Sequence, residues 1–210
     1  MVSKRRSART PKAVLGADEH TRQHIAAEAA RIMSDEGVRD FQMAKRKAAN
    51  RLNIANNKRL PTNQEIEAAL QAYLQLFHAA RLTDTLNKLR AVALEAMRFL
   101  GAFAPRLVGP VLSGTVTPYS VVQLHVRADT PEQIGLLLDD HNIPFEEIDK
   151  RLRFGGDRYE RCPVYRFTAD TCPIEVYVFS PLNGREPPLS PVDGKPMQRA
   201  TIKQVERLLP

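Results

Sequence analysis

Three polar side chains lie in alternating segments of the sequence, where their spacing could bring them together for chemistry. In residues 120–126 successive side chains point to opposite faces of a predicted strand, so Gln123 and His125 share one face. Glu175 lies in a second alternating segment, residues 174–179. A histidine beside a carboxylate can act as a general base. No nucleophile and no pair of oxyanion donors accompanies them, so all three are catalytic candidates without an assigned reaction.

The predicted elements that position these residues begin with a strand, a turn and a second strand. The apolar residues 107–112 predict the first strand, and residues 120–126 predict the second because they alternate in period two. The second strand then has an apolar face for the core and a polar face that continues to Arg127. The turn between the strands is formed by the small residues Ser113, Gly114 and Thr115.

This order of turn and strand resembles the signature of the nucleotidyltransferase fold, the superfamily of DNA polymerase beta and the minimal bacterial nucleotidyltransferases. In that family a Gly-Ser turn follows a strand, and the next strand reads Ser-Asp-x-Asp-Leu-x-Val. Here residues 120–126 read Ser-Val-Val-Gln-Leu-His-Val, and the turn is Ser113 followed by Gly114. The resemblance implies that the two Asp positions face a third carboxylate on a later strand, the position that Glu175 matches.

The residues that hold metal ions in this family are altered in the chain. Val121 and Gln123 stand at the two Asp positions, and neither an isopropyl group nor a neutral amide supplies the anionic oxygen that Mg²⁺ requires for phosphoryl transfer. The resemblance therefore implies a nucleotidyltransferase-like protein without nucleotidyl transfer and without a cofactor, with Mg²⁺ only if the altered site still binds a nucleotide. Candidate ligands for a nucleotide or a phosphate are the backbone N–H groups and hydroxyls of Ser113, Gly114, Thr115 and Ser120.

The positive charge of the chain is concentrated at its start. The formal net charge is +7, and residues 1–60 hold 14 Lys or Arg against 6 Asp or Glu. A basic front end is typical of nucleic-acid-binding proteins, and equally of a solvated segment that favours solubility. Binding of DNA or RNA through residues 1–60 is therefore the alternative function. Its candidate contacts lie on a predicted helix over residues 41–52 and are Lys45, Arg46, Lys47 and Arg51.

The periodicity of apolar residues predicts an α+β protein, with helices before the first strand and three more strands after it. Helical stripes fill residues 18–82, where Thr62 and Glu65 have the spacing of a capping box, and a break near residue 82 precedes the next helix. The predicted organisation is a disordered basic tail over residues 1–17, a helical region over 18–82, a nucleotidyltransferase-like domain with a mixed sheet of about five strands over 83–180, and a proline-rich tail with a short terminal helix over 181–210.

The composition of the chain predicts where in the cell the protein is located. No apolar run approaches the roughly 18 residues of a membrane span, and the basic N-terminus has no apolar segment behind it. We therefore expect a cytoplasmic protein with no membrane partner and no secretory signal. Cys162 and Cys172 lack the spacing of a zinc or redox motif. In the cytosol reduced thiols are favoured over a disulfide, and nothing in the sequence indicates an oligomeric state.

Overall fold

The chain folds into two compact units, which we call the N-terminal unit, Met1–Tyr73, and the C-terminal unit, Leu74–Pro210. The structure is a computed structural model that describes residues 11–54 and 60–210. The division between the units falls within a helix, before the domain boundary predicted at residue 82.

The N-terminal unit is helical because its apolar residues repeat at helical spacing. Ile25, Ala29 and Ile32 form one buried stripe, as their spacing predicts. The backbone N–H of Thr62 donates to the Glu65 carboxylate at 2.6 Å, and the N–H of Glu65 donates to the Thr62 hydroxyl at 3.2 Å. The predicted capping box is therefore confirmed. The helices are α1 (Pro11–Glu36), α2 (Phe41–Arg51) and the first part of α3 (Asn63–Phe99).

Two helix boundaries differ from the prediction. α1 includes every described residue from Pro11 to Glu36, so residues 11–17 are helical rather than disordered, while the rest of the predicted tail lies outside the described residues. α3 continues through the break predicted near residue 82, because that stretch contains neither Gly nor Pro and Thr83 alone costs the helix at most about 0.7 kcal/mol. None of the helices in the described part of the chain is both long and apolar enough to span a bilayer.

Among the described residues, the strands of the C-terminal unit form one mixed sheet. Its strands are β1 (Arg106–Val108), β2 (Val122–Arg127), β3 (Phe145–Arg153), β4 (Tyr159–Ala169) and β5 (Cys172–Phe179). They lie in the order β1-β2-β5-β4-β3, with β2 and β5 parallel and all other neighbours antiparallel. The predicted α+β class, with a helical N-terminal region and a mixed sheet of five strands, is confirmed. The helices of this unit, besides the rest of α3, include α4 (Gly109–Ser113), α5 (Glu132–Asp140) and α6 (Ile202–Glu206).

One face of the sheet carries the main hydrophobic core. Val122, Leu124 and Val126 of β2 are buried there, as the alternation along residues 120–126 predicts. They belong to one cluster with buried residues of α3, α5 and α6. Burial of a large apolar side chain contributes about 1.5–3 kcal/mol, so this face holds the sheet against its helices.

The opposite face, which we call the polar face, carries the side chains that could do chemistry. Because neighbouring residues point to opposite faces, Gln123, His125 and Arg127 of β2 lie on it. A smaller apolar cluster covers part of the same face and consists of Phe154, Cys162, Val164, Tyr177 and Phe179.

The first strand is shorter than predicted. β1 ends at Val108 and pairs with β2, so residues 107–112 do not form one strand. Gly109 adopts a φ of +70°, which ends the extended backbone, and Pro110 then occupies the first turn of α4. Glycine reaches this left-handed conformation without the steric cost that a side chain would add.

The proline-rich segment after β5 is bound to the sheet. Leu189 donates its N–H to the Arg153 carbonyl at 2.7 Å, and Ala200 exchanges two backbone hydrogen bonds of 2.9 Å with Leu107 of β1. α6 follows with a capping box at Thr201, which confirms the short terminal helix. Residues 181–210 are therefore part of the C-terminal unit.

Both cysteines are free and buried. Burial raises the pKa of the Cys162 thiol to about 12, so this thiol stays protonated at neutral pH. The chain therefore has no disulfide that joins Cys162 to Cys172.

Candidate functional site

The structure brings the three candidate residues of the polar face together. In the parallel pair of β2 and β5, Gln123 is opposite Glu175 and His125 is opposite Tyr177. Residues opposite each other in register have neighbouring side chains on the same face of a sheet. Gln123, His125 and Glu175 are therefore close neighbours.

The carboxylate of Glu175 is already engaged by two cations. Glu175 is fully buried, and its carboxylate accepts hydrogen bonds from Lys150 at 2.6 Å, from Arg166 at 3.2 Å and from the Tyr177 hydroxyl at 3.0 Å. The side chains of Lys150 and Arg166 keep 30% and 35% of their surface exposed. Two positive charges thus compensate one buried negative charge. They would repel a divalent cation at the same carboxylate.

His125 is buried and neutral. Its ring lies 5.5 Å from the Tyr177 ring and 4.8 Å from the Phe179 ring, measured between centroids. Burial, and then the charge of Arg199, lowers the pKa of His125 to about 3. A general base works best when its pKa is near the operating pH. At pH 7 this imidazole is therefore a weak base, whose buried Nδ1 has no hydrogen-bond partner among the described residues.

The turn residues that could bind a phosphate use their polar groups locally. Gly114 ends α4 with a φ of +88°, and its N–H donates to the Pro110 carbonyl at 2.8 Å. Ser113 donates its hydroxyl to the same carbonyl at 3.3 Å. Thr115 and Ser120 are buried, and the Ser120 hydroxyl accepts the backbone N–H of the residue three positions earlier at 2.8 Å. A phosphate would therefore have to displace hydrogen bonds of this loop.

Gly109 is the turn residue that contacts the polar face. A Cβ atom built at Gly109 would lie 2.2 Å from Gln123 Oε1, which is much closer than real Cβ contacts. The Gln123 side chain thus covers the backbone at this turn. The sequence-based interpretation placed the turn at Ser113 and Gly114 and missed Gly109, although the pair of Gly109 and Pro110 after a strand was a signal for it.

Lys150 and Arg166 were also missed. The antiparallel register pairs Arg166 with Glu175 across β4 and β5, and β3 carries Lys150 on the next strand. The alternation of β3 and β4 in the sequence places both side chains on the face of Glu175 once the register is known. The sequence alone did not fix that register.

The four basic residues proposed to contact nucleic acid have different environments in the N-terminal unit. Lys45 is buried, and burial lowers the pKa of its ammonium group. Lys47 and Arg51 both form ion pairs with Glu36, the latter at 2.5 Å. Arg46 is exposed. A charge that is already paired contributes less to phosphate binding, so Arg46 is the best placed of the four.

The residues at the predicted metal positions do not fit Mg²⁺. This ion takes oxygen ligands that usually include one or two carboxylates. Val121 has no donor atom, Gln123 has a neutral amide, and the carboxylate of Glu175 is bound by protein cations. Within residues 11–54 and 60–210, no three His, Cys, Asp or Glu side chains form a group that could hold a metal ion. Metal-dependent nucleotidyl transfer therefore lacks its ligand set on this face.

No protein-family model matches the chain, and no curated protein is similar to it.

Proposed function

We propose that the C-terminal unit is a nucleotidyltransferase-like domain that binds a nucleotide or another phosphate-bearing ligand and transfers no nucleotide. The order of elements supports the resemblance, because β1, α4 and β2 follow one another and β5 runs parallel to β2. The register supports it too, since Gln123 at the second altered acid position pairs with Glu175 at the third.

The observation that carries the proposal is the state of Glu175. It is the one carboxylate left of the three that the resembling family uses, and Lys150 and Arg166 already bind it. A two-metal transfer needs carboxylates free to bridge metal ions and to neutralise the charge that develops on the phosphate. The arrangement therefore lacks the free carboxylates that a two-metal transfer would need.

The direct test is an assay for nucleotidyl transfer. The intact protein is incubated with labelled nucleoside triphosphates, Mg²⁺ or Mn²⁺, and protein, RNA and small-molecule acceptors, and we expect no labelled product. The same mixture without acceptor measures self-labelling. Any metal-dependent labelled product would overturn the proposal. Glu175→Gln would then be assayed together with a check of its fold by far-UV circular dichroism, because loss of this carboxylate also destabilises the sheet.

A second test restores the missing acids. A variant with Val121→Asp and Gln123→Asp places two carboxylates at the positions that hold metal ions in the resembling family. The matched control, Val121→Asn with Gln123→Asn, has the same shape without the charge. With Glu175 the Asp variant has three carboxylates against the two cations Lys150 and Arg166. We therefore expect it to bind Mn²⁺, measured as loss of the free-ion electron paramagnetic resonance signal, and the Asn variant not to bind it. If both variants fold, by far-UV circular dichroism, and neither binds Mn²⁺, the resemblance loses its support.

A nucleic-acid-binding function of residues 1–60 stays a prediction from charge. The ion pairs of Lys47 and Arg51 with Glu36 take up part of that charge. The geometry of α2 therefore gives this alternative no added support.

A further inference from the structure

Four arginines from separate parts of the chain line one cavity in the C-terminal unit. The cavity has a volume of about 340 Å³ and lies at one end of the polar face, where Arg106 on β1 is opposite His125 on β2. We call it the arginine pocket and define it by Arg106, His125, Arg127, Arg185 and Arg199. None of the described residues that line it is acidic.

The positive charges of the pocket have no acidic partner among the residues that the structure describes. In the part of the chain that the structure describes, no acidic side chain pairs with Arg106, Arg127, Arg185 or Arg199. Burial, and then the nearby charges of Arg106 and Arg127, lowers the pKa of Arg199. A guanidinium nevertheless stays protonated in proteins. An anion in the cavity would relieve the mutual repulsion of these groups.

Two residues that line the pocket each have a buried polar atom without a hydrogen-bond partner among the described residues. Arg199 donates from Nη1 to the Gly184 carbonyl at 2.7 Å, whereas its Nη2 is buried without a partner. The Nδ1 atom of His125 is buried without a partner as well. Buried polar groups are nearly always satisfied, because an unmet donor costs free energy. Both residues line the cavity, and Arg199 Nη2 is a donor that an acceptor oxygen would satisfy.

The turn after β5 holds part of the pocket in place. A Cβ atom at Gly184 would lie 2.6 Å from Arg127 Cγ, so only a glycine allows the backbone to pack against the Arg127 stem. The Arg199 hydrogen bond to Gly184 fixes the other side of the same turn. Arg185 follows directly in sequence. The arginines therefore converge on a cavity whose walls are built by specific contacts.

We infer that the arginine pocket binds a compact oligophosphate anion, either free pyrophosphate or the terminal phosphates of a nucleotide. Guanidinium groups bind phosphate oxygens in pairs and with directional hydrogen bonds. Four positive charges require a ligand with several negative charges, and a phosphate carries about −1.5 to −2 at pH 7 whereas a carboxylate carries one. A volume near 340 Å³ is at the low end of the range for small-molecule sites, roughly 300–1,000 Å³. The inference rests on the ligand-binding part of the proposed function, for which it names a site and a class of ligand, whereas its observations do not depend on the nucleotidyltransferase resemblance.

The test titrates the intact protein with pyrophosphate by isothermal titration calorimetry, in buffer whose ionic strength is held constant with sodium chloride. Arg185→Gln removes an exposed arginine of the pocket, and Arg106→Gln removes one from a second element. Arg207→Gln removes the same charge from an exposed residue outside the pocket. We expect saturable binding that each pocket variant weakens by roughly ten- to a hundredfold, the loss that follows from one charge-assisted hydrogen bond, and that Arg207→Gln leaves unchanged.

ATP without Mg²⁺ distinguishes the two sources of the anion. Competition of ATP with pyrophosphate supports the terminal phosphates of a nucleotide, and pyrophosphate binding without competition supports a free anion. Absence of saturable pyrophosphate binding, equal weakening by Arg207→Gln, or binding of an oligonucleotide alone would each overturn the inference. A labelled product in the transfer assay would overturn the proposed function and leave this result standing, so the two failures are distinguishable.

Discussion

Replacement of Glu175 by glutamine is expected to destabilise the C-terminal unit strongly. The substitution keeps the size of the side chain and an acceptor oxygen for the Tyr177 hydroxyl. It removes the negative charge that Lys150 and Arg166 share at 2.6 Å and 3.2 Å. Loss of one partner of a buried ion pair leaves the other charges uncompensated, which is the costly part of the change.

The magnitude follows from burial. Removal of one member of a fully buried ion pair costs about 3–5 kcal/mol. The cations here keep about a third of their surface in water, 30% for Lys150 and 35% for Arg166, so solvent screens part of the loss and we expect roughly 2–3 kcal/mol. Glu146→Gln is the matched control, since Glu146 binds the same Arg166 at 3.0 Å with 62% of its side chain exposed. That change should cost less than about 1 kcal/mol.

Urea unfolding at pH 7 measures both variants. The chain has no tryptophan, so unfolding is followed by far-UV circular dichroism. Because the protein has two units, its unfolding need not be two-state. Hydrogen exchange of peptides from β5 therefore reports the local loss of stability in the sheet.

Two outcomes would contradict this reasoning. If Glu175→Gln costs no more than Glu146→Gln, the buried ion group contributes little to the sheet. If Glu175→Gln stabilises the unit, the charged carboxylate lowers the free energy of unfolding of the natural protein, as is common for catalytic acids. The interpretation of Glu175 as a structural residue would then fail.

Three other perturbations have expected outcomes. The pKa of His125 falls from 6.5 to about 3 on folding. Between pH 6.5 and pH 3 the unfolded chain therefore binds a proton that the folded chain does not. The free energy of unfolding decreases as the pH decreases through this range. From pH 7 to pH 5 this loss should be about 2 kcal/mol in urea unfolding, and His125→Phe should remove that part of the pH dependence. Gly109→Ala should cost more than about 1 kcal/mol, because it combines a φ of +70° with a 2.2 Å contact, whereas Gly101→Ala, with nothing within 4 Å, should change the free energy of unfolding little. In gel-shift assays, binding of DNA or RNA should weaken as the salt concentration rises. Arg46→Gln should weaken binding more than Lys47→Gln does, because Lys47 is already paired with Glu36. Equal effects of the two variants would contradict this ranking.

The strands after β2 could be predicted from the sequence because their signals are local. Period-two alternation predicted a strand over residues 174–179, within two residues of the observed ends of β5. The alternation of residues 120–126 also identified correctly which side chains of β2 face the core. The length of β1 was predicted wrongly, since the apolar residues in 107–112 counted for more than Gly109 and Pro110.

The partners of the candidate residues could not be predicted, because they depend on which strands become neighbours. The cations around Glu175 come from β3 and β4, and the arginine pocket collects residues from β1, β2 and two places after β5. Arg106 and Arg199 are far apart in the sequence and show no common spacing. Their proximity follows from the register of β1 with β2 and from the hydrogen bonds that fix the segment after β5.

The polar face has an excess of positive charge, which supports both proposals. At Glu175 one carboxylate lies between two cations, and at the adjoining end of the sheet four guanidinium groups line a cavity without an acidic residue among those described. Interactions among these groups are weakly screened because several are buried. The field at this face therefore opposes the approach of a divalent cation and favours that of an anion. Under both proposals, this face holds phosphate groups without a metal ion, because Lys150 and Arg166 bind Glu175 and four arginines line the adjoining cavity.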